Sequence, residues 1–230
     1  CAQRALLALC FVRANAPSEI LRAVRAEGAL GTGLSTLEVG RVVALRVAID
    51  RVAEDTVVEA LARRDPRRAA DALWRAYGGE VFGWLVAVYG ASEASEVAGA
   101  LGLSVVRGIE GFRGESTART WLYQLARTEV RQHRRATRRR RQVMTPLSHH
   151  PSAGERADVA PSRSAALDLD RLRAHLSEEE RSLLVLRYDR ELTYEEIAAV
   201  LLDDVEPARC AARLRQRVRD VKGKLASLAR

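Results

Sequence analysis

A chain of 230 residues, 47% hydrophobic and 30% charged, is long enough for one or two domains that each bury a core. Its 38 Lys and Arg against 30 Asp and Glu leave a formal charge of +8, which suggests a polyanionic partner, nucleic acid first and an acidic membrane surface second, the alternative being an arginine-rich proteome. The three cysteines (Cys1, Cys10, Cys210) and four histidines have no metal-ligand or disulfide-framework spacing, which argues against a metal site or a stapled secreted domain and fits a reducing cytoplasm.

Residues 1–65 are rich in Ala, Val and Leu with scattered Arg, and are expected to be helical in pieces interrupted by Gly28, Gly31, Gly33 and Gly40. The apolar run from Ala5 to Val12 is too short to span a bilayer and lacks the flanks of a signal peptide. The single methionine is Met144, so the chain is expected to be a fragment or to start at a non-Met codon. No function is assigned to this zone.

Residues 66–141 read as a helical domain whose most informative stretch is STARTWLYQLARTEVRQHRRATRRRR, from Ser116 to Arg141. Leu122, Leu125, Ala126, Val130 and His133 recur at helical spacing as an apolar stripe. Gln124, Arg127, Arg131, Arg134 and Arg138 recur along another face. A row of guanidiniums suits a phosphate backbone, because each can donate two parallel bonds to phosphate oxygens. The alternative is a solvated face, but only Glu115 and Glu129 are at hand to offset the arginines within the helix. Trp121 and Tyr123 offer base stacking, although Trp121 lies beside the apolar stripe and reads better as core. The preceding GFRGES (111–116) is a Gly-bracketed loop in which Ser116 is the expected N-cap.

Residues 142–167 place Pro146, Pro151 and Pro161 among Ser, Ala, Gly and His, the composition of a flexible linker. Residues 168–230 form a second helical domain. Two capping boxes, Ser177 with Glu180 and Thr193 with Glu196, mark helix starts. The first opens onto Leu183, Leu184 and Leu186; the second follows a turn through Arg190 and Glu191 and buries Ile197, Ala198 and Leu201. Asp203 to Pro207 breaks the chain, and Pro207 suits the first turn of a last helix with Leu214, Val218, Val221, Leu225 and Leu228 inside. Arg209, Arg213, Gln216 and Asp220 lie on its opposite side, the layout of a helix-turn-helix reader with its last helix in the major groove. No alternation of strand type is sustained, so the expected fold class is all-α: two helical domains joined by a linker.

Together these segments resemble the extracytoplasmic-function group of sigma-70-type sigma factors. The first domain carries FRGESTARTWLYQLART (Phe112 to Thr128) and the second LSEEERSLLVLRYDRELTYEEIA (Leu176 to Ala198), in the family's order. The resemblance implies RNA polymerase core and promoter DNA as partners, an anti-sigma factor as a further one, and a cytoplasmic place of action. It implies that the first domain grips the polymerase clamp and reads and melts the −10 element, and that the second reads the −35 element. Carried over by position, Arg119, Thr120, Arg127, Thr128, Arg131, Gln132 and Arg135 face −10 DNA, and Arg209, Arg213, Gln216 and Arg217 face −35 DNA. Glu93, Glu96, Val97 and Leu101 fall in the clamp-binding helix.

Three departures from the family pattern stand out. The clamp helix reads EASEVAGALG (93–102), with Gly99, Ala100 and Gly102 where the family has Gln, Glu and Phe, and each mid-helix glycine costs about 1 kcal/mol against alanine. The usual Asn and Asp of the −10 helix are Thr128 and Gln132, and the turn LLDDVEP is longer than the family's. A second reading is therefore a stand-alone or degenerate sigma-like DNA-binding regulator, and a third is an interaction protein that titrates an anti-sigma partner. No constellation of nucleophile, base and metal is present, so neither catalysis, a cofactor, a small-molecule substrate nor a membrane is expected.

Overall fold

The computed structural model describes residues 36–143, 175–202 and 207–228, all of it helix and short turns. The apolar run at the start, most of the linker and the turn 203–206 lie outside the described residues. Among the described residues seven helices follow in order: α1 (Thr36–Ala62), α2 (Pro66–Tyr89), α3 (Ala91–Gly108), α4 (Ala118–Val143), α5 (Glu178–Leu184), α6 (Tyr194–Leu201) and α7 (Pro207–Leu228). A single 3₁₀ turn (Ile109–Gly111) ends α3, and α5 runs on through a π-helical turn (Val185–Asp189).

Local chemistry sets most boundaries. Asp65 caps α2 by accepting from the Arg68 N–H at 3.0 Å, and Pro66 fills the first turn, where no amide donor is needed. Gly90, at φ 89°, turns the chain sharply from α2 into α3 in a conformation that costs a side-chain-bearing residue more. Both expected capping boxes form: Ser177 Oγ accepts from Glu180 N at 3.1 Å, Thr193 Oγ1 from Glu196 N at 3.2 Å, and both glutamates reach back.

Two expectations are corrected. Gly40 lies inside α1 and does not break it. Ser116 is not the cap of α4; Thr117 is, its Oγ1 accepting from Thr120 N at 3.1 Å. The remaining orphan donors at that helix start are taken by a residue more than sixty positions away: Glu54 of α1 accepts from Ala118 N at 2.7 Å and Arg119 N at 3.0 Å. A carboxylate there also complements the positive end of the helix dipole. Helix α1 thus has a definite part in positioning α4.

Helices α1 to α4 pack around Leu73, Tyr77, Val81, Trp84, Leu101 and Leu122. Helices α5 to α7 converge on Leu183, Leu186, Leu192, Ile197, Leu214 and Val218, and these belong to the same continuous core. The seam between the two sets is closed by α2 and α4 on one side and α5 and α6 on the other. At its centre Trp84, fully buried, donates from Nε1 to Ser182 Oγ at 3.0 Å.

Helix α3 is continuous through Gly99, Ala100 and Gly102 because its inner face, Ala94, Val97, Leu101 and Val105, supplies the packing. A Cβ built on Gly99 or Gly102 meets nothing within 4 Å. Gly99→Ala and Gly102→Ala should each stabilise the protein by about 0.4–1 kcal/mol, read as a higher midpoint in urea unfolding. Loss of stability in either variant would mean that the flat surface is needed for packing.

Candidate nucleic-acid interface

Helix α4 is held from behind by its apolar stripe: Leu122, Ala126 and Val130 are buried, while Leu125 is only partly so. His133 is half-buried, with Nε2 3.7 Å from Glu96. Tyr123 is fully buried and donates to Glu80 Oε1 at 2.8 Å, so its ring is unavailable for stacking on bases. Burial, then the Glu80 carboxylate, push its phenol well above the ordinary range. Trp121 is half-buried against Phe112, with ring centroids 5.6 Å apart, in line with its reading as a packing residue.

The seven residues expected on the −10 side separate into three groups. Arg119 and Thr120 are buried. Arg119 donates to Glu80 Oε1 from Nε at 3.0 Å, with a second contact from Nη2, and Nη2 also reaches the Arg190 carbonyl at 2.6 Å. Burial works against its charge, but Glu80 beside it holds its pKa above the usual value. Arg127 and Arg131 are half-buried; Arg127 donates to the Val200 carbonyl at 3.2 Å. Thr128, Gln132 and Arg135 are exposed, on a stripe that continues into the exposed Arg138, Arg139, Arg140 and Arg141.

The guanidinium row is not balanced within its own helix; acids and carbonyls of other helices meet it. Arg134 pairs with Glu93 of α3, at 2.6 and 3.0 Å, and with Glu178 of α5, at 2.6 and 2.9 Å, beneath the Tyr89 ring 4.9 Å away. Gln124 donates to the Ala199 carbonyl at 3.1 Å. Sequence periodicity identifies the face, but the partners come from residues 41 to 75 positions distant and leave no local signal.

On α7, Arg213, Gln216 and Arg217 are exposed, as are Arg215 and Arg219, while Leu214, Val218 and Val221 point inward and Leu225 is half-buried. Arg217 pairs with Glu179 at 2.6 Å and Gln216 with Asp220 at 2.8 Å. The Arg209 and Leu228 side chains lie outside the described residues. Arg187 and Arg215 lie over the Tyr194 ring at 4.7 and 5.3 Å, bracing the π-helical turn and α7 against α6.

On the helix expected to hold polymerase, Val97 and Leu101 are core residues, 1% exposed each. Glu93 is committed to Arg134, and Glu96 is exposed. The outward face of α3 instead presents Gly99, Ala100, Leu103 and Val106, with the last two 59% and 61% exposed. Sequence reading missed Glu54, Glu80, Ser182 and Leu103. The exposed Leu103 and Val106 could have been found from the helical period, which sets them apart from Val97, Leu101 and Val105. Among the described residues, no group of three or more His, Cys, Asp and Glu side chains is placed to hold a metal, and no helix is long and apolar enough to cross a membrane.

Comparison with known families matches residues 73–140 to sigma-70 region 2 and residues 174–201 to sigma-70 region 4. The chain is 32% identical over 159 residues to the RNA polymerase sigma-H factor of Pseudomonas aeruginosa, across 64% of this chain and 82% of that protein. It is 29% identical over 142 residues to RNA polymerase sigma factor YlaC of Bacillus subtilis, across 59% of this chain and 80% of that one. With both regions present in the same order and one relative matched over four-fifths of its length, the chain belongs to the extracytoplasmic-function group of the sigma-70 family of sigma factors.

Proposed function

We propose that this sigma factor, which directs RNA polymerase core to promoters, divides the work between its two helical units. Residues 66–141 read and open the −10 element along α4, residues 168–230 read the −35 element along α7, and residues 142–167 link them. The observation that carries this reading is the pair of exposed basic faces, Arg135 with Arg138 to Arg141 on α4 and Arg213 to Arg219 on α7. Guanidiniums at helical spacing position the protein on phosphates, while Thr128, Gln132 and Gln216 carry side chains able to read base edges. Base contacts to the opened strand offset the few kcal/mol per step that unstacking costs. The place of action is the cytoplasm, where promoter DNA and polymerase are found.

Polymerase is held on the outward face of α3, by Leu103 and Val106 beside the flat surface of Gly99 and Ala100. A large partner side chain can pack closely there, which compensates for the missing polar contacts. Purified protein is expected to co-elute with core polymerase in size exclusion. Leu103→Asp combined with Val106→Asp should abolish co-elution while keeping the chain folded and lowering the unfolding midpoint only modestly, since both side chains are mainly in solvent. Promoter binding by the free chain with no shift of core enzyme would instead support the stand-alone regulator, the reading that Gly99 and Gly102 favour.

A further inference from the structure

We infer that the apolar groove between α1 and α2 is a docking site for this chain's own segment Ala5–Val12, which lies across both helices and braces α1. The groove has a volume of about 450 Å³. Ile49, Val52 and Ala53 of α1 and Ala72 and Ala76 of α2 line it. The one charge in its wall, Arg75, is paired with Asp71 of its own helix. Ile49 and Val52 are 46% and 65% exposed. A lone apolar side chain on a surface needs no explanation, but two branched ones beside a floor of alanines form a continuous apolar face, the mark of a binding surface. The small floor residues leave depth for leucine or phenylalanine side chains from an incoming segment.

Ala5–Val12 reads ALLALCFV, eight consecutive residues without a charge, and a run apolar on every side is stable in water only when it is covered. Its flanks are Arg4 and Arg13, and the exposed Asp55, three residues beyond Val52 on the same side of α1, supplies the opposite charge beside the groove. The connection is long enough. Val52 lies sixteen residues along α1 from Thr36, about 24 Å at the helical rise. The 23 residues from Arg13 to Ser35 cover about 34 Å even at that same short rise, and more if extended. A tethered segment also meets the groove at an effective concentration of order millimolar, which no separate molecule matches in dilute solution. A second copy of the chain would have only the strip from Ala48 to Val58, about three helical turns, short of the roughly 1,000 Å² that a stable interface needs. The consequence falls on α4. Helix α1 carries Glu54, which accepts from the Ala118 and Arg119 N–H groups at the start of that helix, so fastening α1 to α2 holds this cap in place.

Cys10, inside the run, serves as the probe. The test uses the full chain with Cys1→Ser, which leaves Cys10 and the buried Cys210 as its thiols. Ala76→Cys adds a thiol on the groove floor, and Ser95→Cys adds one on the exposed side of α3, away from the groove. Under mild oxidation Cys10 should link to position 76 within one chain at least about 10-fold faster than to position 95, because a docked segment visits one place and a free one visits both. The links are identified by peptide mass. In the Cys1→Ser chain without added thiols, Ile49→Lys combined with Val52→Lys should speed maleimide labelling of Cys10 about 10-fold. Both side chains are largely in solvent and lysine is a good helix former, so the variant keeps its fold, which circular dichroism checks. Equal linking rates to positions 76 and 95, or a labelling rate unmoved by the two lysines, would overturn the docking. A link from Cys10 to position 76 of another chain would overturn it too, and would give the groove to a second copy.

Discussion

Replacing Arg119 with alanine should cost about 3–5 kcal/mol of folding stability, seen as a large drop in the urea midpoint. Arg119 and Glu80 are only 10% and 15% exposed, so the substitution leaves a carboxylate in a site with little water to solvate it. Tyr123 would still donate to Glu80, but a single phenol does not replace a guanidinium. The same change also removes the donor to the Arg190 carbonyl, in the turn that leads from α5 to α6. Arg119→Met combined with Glu80→Gln should recover much of the loss, because the pair is then replaced and not broken. Had Arg119 been a contact to −10 DNA, Arg119→Ala would weaken promoter binding and leave the urea midpoint where it was. That outcome would remove the structural role assigned here.

Trp84→Ala should be comparably severe, at about 3–5 kcal/mol, for a different reason. The indole is fully buried, edge-on to Tyr123 with centroids 5.4 Å apart and to Tyr89 at 5.8 Å, and its removal leaves a cavity at the seam. Ser182 loses the donor to its hydroxyl oxygen at the same time. Trp84→Phe separates the two effects: it keeps most of the volume and should lose about 1–2 kcal/mol through the unpaired serine. Because Trp84 joins α2 to α5, the alanine variant should also unfold less cooperatively, with a smaller dependence on urea. A loss below about 1 kcal/mol would mean that the seam is open in solution, since an indole facing water leaves no cavity when removed.

Much of the local structure was legible from the residues. The capping boxes at Ser177 and Thr193 form as their spacing requires, since both partners lie within one turn of each other. The inner faces of α4 and α7 follow the 3.6-residue period because burial is decided by angle around the helix axis. The motifs ending at Thr128 and Ala198 carried the family. Position in a motif did not reveal burial: Arg119, Thr120, Val97 and Leu101 sit in functional motifs and are buried in the fold, because the same helix must first pack before it can present anything.

The basic face of α4, with which the charge count began, shows the division most clearly. Residue spacing alone places a row of guanidiniums along one side of that helix, since spacing is a property of the chain. Tertiary structure alone decided what the row touches. Glu93, Glu178 and the Ala199 and Val200 carbonyls at the end of α6 are brought to it by packing of the two units around Trp84, and pairing between residues so far apart has no periodicity to reveal it. A helix shows its own face in one dimension; the partner of that face is a three-dimensional fact.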